Sequence, residues 1–316
     1  MVTLSEVRLS QDHQLLQSGE MLDRYRIEEW LGSGACGVVY RAYDLRLQRK
    51  VALKVLGRKL QADETGWGRL LREARAASRL SHPCLCSIYE VAEERGYTYI
   101  AMEYVEGHPL NTVIPRGGLQ TAEALHYGEQ LAGALAHVHE HGIIHRDVKS
   151  PNVIITPRGE AKLLDFDLAT RVRLNSPDRE STSWSSQDYA EAVGGTLPYM
   201  APELLRGKRA TVQTDLWTLG VLLYEMVSGQ LPFAGRTSIE IGAAILTQPV
   251  PLLPRQVPSD LVAIIRCCLE KDCANRYIAA TEVRDDLLKT AAAIAKRATK
   301  GSVWYWVSRI GCHGSA

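Results

Sequence analysis

His145-Arg146-Asp147-Val148-Lys149-Ser150-Pro151-Asn152, followed further on by Leu164-Asp165-Phe166-Asp167, is the part of the chain on which its reading turns. The two stretches together hold three carboxylates (Asp147, Asp165 and Asp167), an amide (Asn152) and an ammonium (Lys149), with apolar residues between them. Val153–Ile155 and Ala161–Leu164 read as two short strands around the turn Thr156-Pro157-Arg158-Gly159.

Upstream, Gly32-Ser33-Gly34-Ala35-Cys36-Gly37-Val38-Val39 lies between two predicted strands. Glycines without a Cβ let backbone N–H groups approach phosphate oxygens closely. A dinucleotide-binding loop would need a helix directly after the glycines, and here a strand follows. Val51-Ala52-Leu53-Lys54 places a lysine on an otherwise apolar strand, where desolvation asks for an anionic partner. Glu73, on the next helix, is the candidate. Downstream stands Gly195-Thr196-Leu197-Pro198-Tyr199-Met200-Ala201-Pro202-Glu203. Transfer of a phosphoryl group asks for a carboxylate to orient the attacking hydroxyl, oxygen ligands for magnesium, and cations on the moving phosphate. Asp147, Asn152 and Asp165 can supply the oxygens and Lys149 the charge.

Around these motifs the pattern changes along the chain. Residues 1–20 are polar and read as an N-terminal arm. Tyr25–Trp30, Val38–Tyr43, Lys50–Leu56, Cys86–Glu90 and Tyr97–Tyr104 read as strands, interrupted by one helix around Leu70–Leu80. Five strands and a helix make a small α+β unit. Past a turn at Glu106–Pro109 the chain becomes mainly helical, with helices expected over Ala122–Glu140, Asp215–Ser228, Ser259–Glu270 and Ala279–Lys296. Asp215–Ser228 is apolar nearly all round, which places it at the centre of its lobe. Residues 171–193 are rich in Ser, Arg and Asp and read as a surface loop.

Composition narrows the classes. The 316 residues are 46% hydrophobic, enough for two lobes with a cleft between them. With 37 basic and 36 acidic side chains, the net charge of +1 provides no field for nucleic acid. Seven cysteines, an odd number with no C-x-x-C, argue against a zinc site or a disulfide framework. No signal-type segment and no run of eighteen apolar residues stands in the sequence, so the expected location is cytoplasmic.

The ordered set of glycine loop, VALK, HRDVKSPN, DFD and APE resembles the eukaryotic-type serine/threonine protein kinase family, in a bacterial-like form. The resemblance runs from about Leu22 to Leu288. It implies a bilobal α+β fold, with a small antiparallel-sheet lobe carrying one helix (21–105) and a larger, mainly helical lobe (106–290). It implies transfer of the γ-phosphate of ATP to protein serine and threonine hydroxyls, with magnesium, or manganese in its place. By the family's general scheme Gly32, Gly34 and Gly37 cover the phosphates, Leu31, Ser33, Ala35 and Cys36 of the same loop belong to the nucleotide site, and Val39 and Ala52 sandwich the adenine. Lys54 holds the α and β phosphates while paired with Glu73. Met102 guards the back of the pocket, Glu103 and Val105 bond the adenine edge through backbone groups, and Ile154 is its apolar floor. Asp147 is the catalytic base, Lys149 the γ-phosphate contact, and Asn152 and Asp165 the metal ligands. Asp215, Glu203 and Arg276 match scaffolding positions.

Lys149 two residues after Asp147, and Thr196 after Gly195, follow the serine/threonine pattern. Ser150-Pro151 replaces the Pro-Glu common in kinases that select basic sequences, which argues against a simple basophilic preference. Asp167 stands where the family has glycine, so a catalytically silent nucleotide-binding scaffold is the alternative reading. A small-molecule phosphotransferase shares the cleft but usually lacks the APE segment. Arg146, with Arg171 and Arg173, suggests a pocket for a phosphate on the segment before Glu203, and autophosphorylation within Ser181–Ser186 is expected. Residues 291–316 form a tail in which Lys296–Ile310 mixes bases and aromatics without an acid. It suits an acidic membrane surface or a partner, or it folds back on the larger lobe.

Overall fold

The computed structural model describes residues 15–34, 37–56, 74–164 and 196–310. Six strands form one antiparallel sheet: β1 (Met21–Leu22), β2 (Tyr25–Gly34), β3 (Gly37–Asp44), β4 (Arg49–Leu56), β5 (Ile88–Glu94) and β6 (Tyr97–Glu103), in the order β1-β2-β3-β4-β6-β5. Residues 74–77 are helical, inside the helix expected around Leu70–Leu80.

The two-residue period of the strands assigns the sheet's faces to different cores. Val38, Tyr40 and Ala42 of β3, Val51, Leu53 and Val55 of β4, and Tyr99 and Ala101 of β6 pack together on the outer face. The alternate residues Ile100 and Met102, with Leu56, join a second core that continues into the helices. Leu16 is buried in the outer core, and its amide donates to Tyr40 Oη (3.0 Å). Gly19 N donates to Ile27 O (2.8 Å), so the last residues of the polar arm are laid against the sheet. Two adjacent leucines, Leu15 and Leu16, in a polar run carry no periodicity that shows which of them is buried.

Beyond β6, His108–Pro109 (β7), Val153–Ile155 (β8) and Ala161–Leu163 (β9) make a small antiparallel sheet. The predicted turn at 106–109 thus ends in a strand. The helices are α1 (Leu110–Val113), α2 (Thr121–Glu140), α3 (Pro202–Leu205), α4 (Val212–Ser228), α5 (Ser238–Thr247), α6 (Ser259–Cys268) and α7 (Ala280–Ile310). Helix α2 starts at a capping box of Gln120 and Glu123 and buries Leu125, Leu131, Leu135 and Val138. Helix α4 is buried along most of its length, around Trp217, and stops at Gly229 in left-handed geometry (φ 72°). The two helices approach closely at Gly128, where a Cβ would come 2.6 Å from Leu223 Cδ2. Helix α7 runs past its predicted end through Lys296–Ile310, a stretch with no proline to stop it. Helices α1 and α3 have four residues each, and neither they nor α5 is foreseen by the sequence pattern.

Candidate active site

The β2–β3 hairpin forms the roof of the cleft. Gly32 pairs with Val39 and Gly34 with Gly37, with a bulge between Trp30 and Gly32 that breaks the ladder next to the glycines. Gly37 has φ 146°, and a Cβ there would lie 2.1 Å from Val55 O, so only glycine fits. Leu31 and Ser33 are exposed on this hairpin. Val39, Ala52 and Lys54 alternate with the outer-core residues and so occupy the sheet's other face. Val39 is the register partner of Lys54, and Ala52 that of Met102. Ala35, Cys36 and Glu73 lie outside the described residues, and with them the predicted Lys54–Glu73 pair.

The strand leading out of the sheet carries the next group. Met102 is buried in the lobe-spanning core, and Val105 packs against it. Glu103 donates its backbone N–H to Ser87 O (2.9 Å). Its carboxylate pairs with Lys162 and accepts from Ser87 N (3.3 Å). Its carbonyl accepts from the Cys86 thiol (3.5 Å), a weak donor. Of Glu103's two backbone groups, the carbonyl is thus the one left for an adenine edge. On β8, Val153 and Ile155 face the core while Ile154 alternates outward. Gly107 sits over it, for a Cβ there would come 2.8 Å from Ile154 Cγ2.

The loop Arg146–Asn152 brings the reactive groups together. Asp215, at the start of α4, is buried and accepts from His145 N (Oδ2, 2.8 Å) and Arg146 N (Oδ1, 2.8 Å), while His139 Nε2 lies 2.8 Å from Oδ2. Those bonds hold Arg146 at φ 71°, a left-handed geometry that non-glycine residues seldom adopt. The chain bends there and presents Asp147. Lys149 Nζ lies 2.8 Å from Asp147 Oδ1 and also donates to Thr196 Oγ1 (2.8 Å). Asn152 Nδ2 donates to Asp147 Oδ2 (2.6 Å) and to Asp147 O (3.0 Å). With its amide nitrogen engaged, Asn152 keeps Oδ1 for a hard cation. Leu164 N donates to Asn152 O (2.7 Å); the predicted ligand Asp165 lies outside the described residues. An amide oxygen is a hard donor of the kind magnesium accepts.

Behind the loop, the segment Thr196–Leu205 is anchored twice. Glu203 forms a two-pronged pair with Arg276 (2.8 Å at both nitrogens), and Arg276 also donates to Gln213 O and Glu270 O. Burial pushes the Glu203 carboxyl up, but the bonds and charge of Arg276 outweigh it and hold it below the usual carboxylate range. Nearer the loop, Ser150 Oγ lies 2.8 Å from Tyr199 Oη and donates to Glu225 Oε1 (2.9 Å), and Tyr199 Oη donates to Glu225 Oε2 (2.6 Å). Burial pushes the Glu225 carboxyl up, and the two hydroxyls only partly offset it.

The family model for the protein kinase domain matches residues 25–288, most of the chain and all of this site. The chain belongs to the protein kinase family. Among curated kinases it is similar to the serine/threonine-protein kinase PrkC of Bacillus subtilis, 37% identical over 272 residues. That match covers 85% of this chain and 40% of the relative. It is also 37% identical over 260 residues to PknA of Mycobacterium tuberculosis, covering 80% of this chain and 58% of that kinase. To PknB of Mycolicibacterium smegmatis it is 35% identical over 286 residues, covering 88% and 44%. The chain therefore spans about half the length of the kinases it matches. Its sheet lobe and helical lobe are those of the protein kinase fold.

Three contributors escaped the sequence reading: His139, Tyr199 and Glu225. Tyr199 stood in a quoted motif but without a role. Glu225 sits in an apolar helix with no neighbouring signal, and only packing brings it to Ser150.

Proposed function

We propose that this chain is an ATP-dependent kinase that phosphorylates serine and threonine hydroxyls of proteins. The observation that carries the reading is the arrangement at Asp147. One carboxylate oxygen is held by Lys149 and the other by Asn152, and Lys149 reaches on to Thr196. A carboxylate so fixed keeps a lone pair on each oxygen to accept the hydrogen bond of an incoming hydroxyl and to take its proton as the oxygen attacks. Lys149 is placed to neutralise charge on the phosphoryl group in flight. Val39, Ala52, Met102 and Ile154 enclose the base, Glu103 and Val105 bond its edge, and Lys54 meets the phosphates under the glycine hairpin.

Asn152 Oδ1 and the Asp165 carboxylate would hold magnesium, which when bound neutralises phosphate charge and orients the nucleotide. The names of the relatives favour serine and threonine as acceptors. So does Thr196, bonded to Lys149. The phosphorylation expected within Ser181–Ser186 lies outside the described residues and belongs to the same proposal. So does contact of the 291–316 tail with an acidic membrane surface or a partner. No described helix is long and apolar enough to cross a membrane.

The test is direct. The purified chain is incubated with γ-labelled ATP, magnesium chloride and dephosphorylated casein, and the labelled residues are mapped. Label on casein serine or threonine supports the reading; ATP binding without label on casein or on the chain would return it to a nucleotide-binding scaffold. That alternative has no observation in its favour.

A further inference from the structure

We propose that Arg41 and Tyr104 form a latch that closes the end of the nucleotide pocket away from Lys54 and sets how long the nucleotide stays bound. The inference rests on the kinase reading above. It gives a positioning role to two side chains that neither the transfer chemistry nor the base contacts use.

Arg41 lies two residues beyond Val39 on β3, so it projects from the same face of the sheet. Its register partner on β4 is Ala52, while that of Val39 is Lys54. Val39 and Ala52, which roof the base, are therefore flanked by Lys54 at one end and by Arg41 at the other. Across the small side chain of Ala52 the guanidinium reaches Tyr104, its central carbon 5.9 Å from the ring centre. A hydrogen bond with Tyr104 is the largest influence on that guanidinium and, with the bond to Glu28, raises its pKa above the ordinary value. Arg41 is also tied to β2, through Nε to Glu28 Oε2 (2.8 Å) and Nη1 to Glu29 Oε1 (2.7 Å). Lys50, on the same face of β4 as Ala52, brings its Nζ 5.9 Å from the Tyr104 ring centre and 3.4 Å from Glu106 Oε1.

Tyr104 stands between Glu103 and Val105, the two residues whose backbone meets the adenine edge in the reading above. Glu103 is held by Ser87 and Lys162. The residue after it is held through its ring, and Arg41 carries that hold to both strands of the glycine hairpin. The roof of the pocket and its rim thus share one guanidinium. Parting them at this end, as release of a nucleotide requires, breaks a charge-assisted bond. Both side chains are half-buried, so the contact is modest and the latch opens reversibly. Asp147, Lys149, Asn152 and Thr196 are joined to one another in the helical lobe. Loosening the latch therefore acts on nucleotide residence and leaves the phosphoryl step as it is.

The experiment follows release of N-methylanthraniloyl-ADP, with magnesium, from the parent chain and from Arg41→Met, Tyr104→Phe and their combination. Release should be about three- to fivefold faster in each single variant, the scale of one partly exposed contact to a charged group. KM for unlabelled ATP should rise to match. The combination should be no faster than Arg41→Met alone, because both changes open one latch. The gap between the parent and Arg41→Met should narrow as sodium chloride is raised from about 0.01 M to about 1 M, since salt screens a partly exposed charge. At saturating ATP, kcat/KM for dephosphorylated casein should stay within about twofold of the parent in every variant. Unchanged release in both single variants would overturn the proposal, as would rate increases that multiply in the combination or a gap indifferent to salt. So would an equal loss of kcat/KM for casein, which would reveal a general loosening of the cleft. A parent chain that fails to bind the labelled nucleotide would instead overturn the kinase reading on which the proposal stands.

Discussion

Three cations of the helical lobe sit in three different electrostatic settings, and the contrast separates scaffold from chemistry. Arg276 and Glu203 meet at 2.8 Å with side chains 0% and 5% exposed. Lys149 and Asp147 meet at the same 2.8 Å, with 15% and 20%. Lys271 is half-buried and donates to a carbonyl, Ile245 O (2.7 Å), with the Phe233 ring 3.7 Å away. The first pair is sealed, and the guanidinium gives two further donors to Gln213 O and Glu270 O. The second is partly open and shared, since each partner also bonds a third group. A charge pair that must release its grip to receive a substrate has to stay within reach of water. One that holds a lobe together gains from being shut away, provided every donor is satisfied.

The sharpest break in this comparison is Asp147→Asn. It should lower phosphate transfer to casein by at least about a thousandfold, because the amide cannot take the acceptor proton. ATP binding, followed by a fluorescent nucleotide, should persist, and the thermal midpoint should shift by only a few degrees. A mutant with near-parental turnover would remove Asp147 from the chemistry. Next in size is Arg276→Met, which strands a buried carboxylate. Urea unfolding should show a loss of about 3–5 kcal/mol, most of it recovered when Glu203→Leu is added. If the single and double variants were equally weakened, the cost would lie in packing rather than in the unpaired charge.

Acid sharpens the same point. The Glu203 carboxyl is held below its ordinary value of 4.5, with burial opposing and Arg276 prevailing. A group so depressed contributes stability that is fully present above 4.5 and is lost as pH falls through the lowered value. The unfolding free energy of the parent should therefore drop toward that of the Glu203→Leu/Arg276→Met pair as the solution is acidified below 4.5. A constant gap between the two would contradict the assignment.

The smallest effect belongs to Lys271. Burial, then the charges of Arg276 and Arg206, lower its pKa to about 8. Between about 8 and its ordinary 10.5 the unfolded chain binds the proton that the folded chain has released. Stability of the parent relative to Lys271→Met should thus rise with pH across that window. A difference independent of pH would mean that the ammonium is not desolvated in the folded state.

What could be read without coordinates was local. The five long strands of the sheet and helices α2, α4 and α6 fall within a few residues of their predicted spans, because period-two and period-3.6 patterns are carried by neighbouring residues. Asp147, Lys149 and Asn152 were legible for the same reason: five consecutive peptide bonds keep them together whatever the rest of the chain does. Other elements were not. Strand β7 has too few pairs to show a period, and helix α5, as long as α6, runs without a polar residue from Ile241 to Leu246 and so shows no amphipathic spacing. Leu16 needed the finished sheet to be seen as a core residue.

The sequence by itself determined which groups are present for phosphoryl transfer and in what order, since each motif is a run of adjacent residues whose spacing is set by covalent geometry. Tertiary structure alone decided what aims them. Asp215 turns the backbone at Arg146 from 69 residues away, and Glu225 reaches Ser150 across 75. Arg276 finds Glu203 across 73. No periodicity links such positions, because the chain between them is free to take many lengths and compositions. Their meeting is fixed by helix α4, whose buried circumference admits one packing and so carries Asp215 and Glu225 to the same loop.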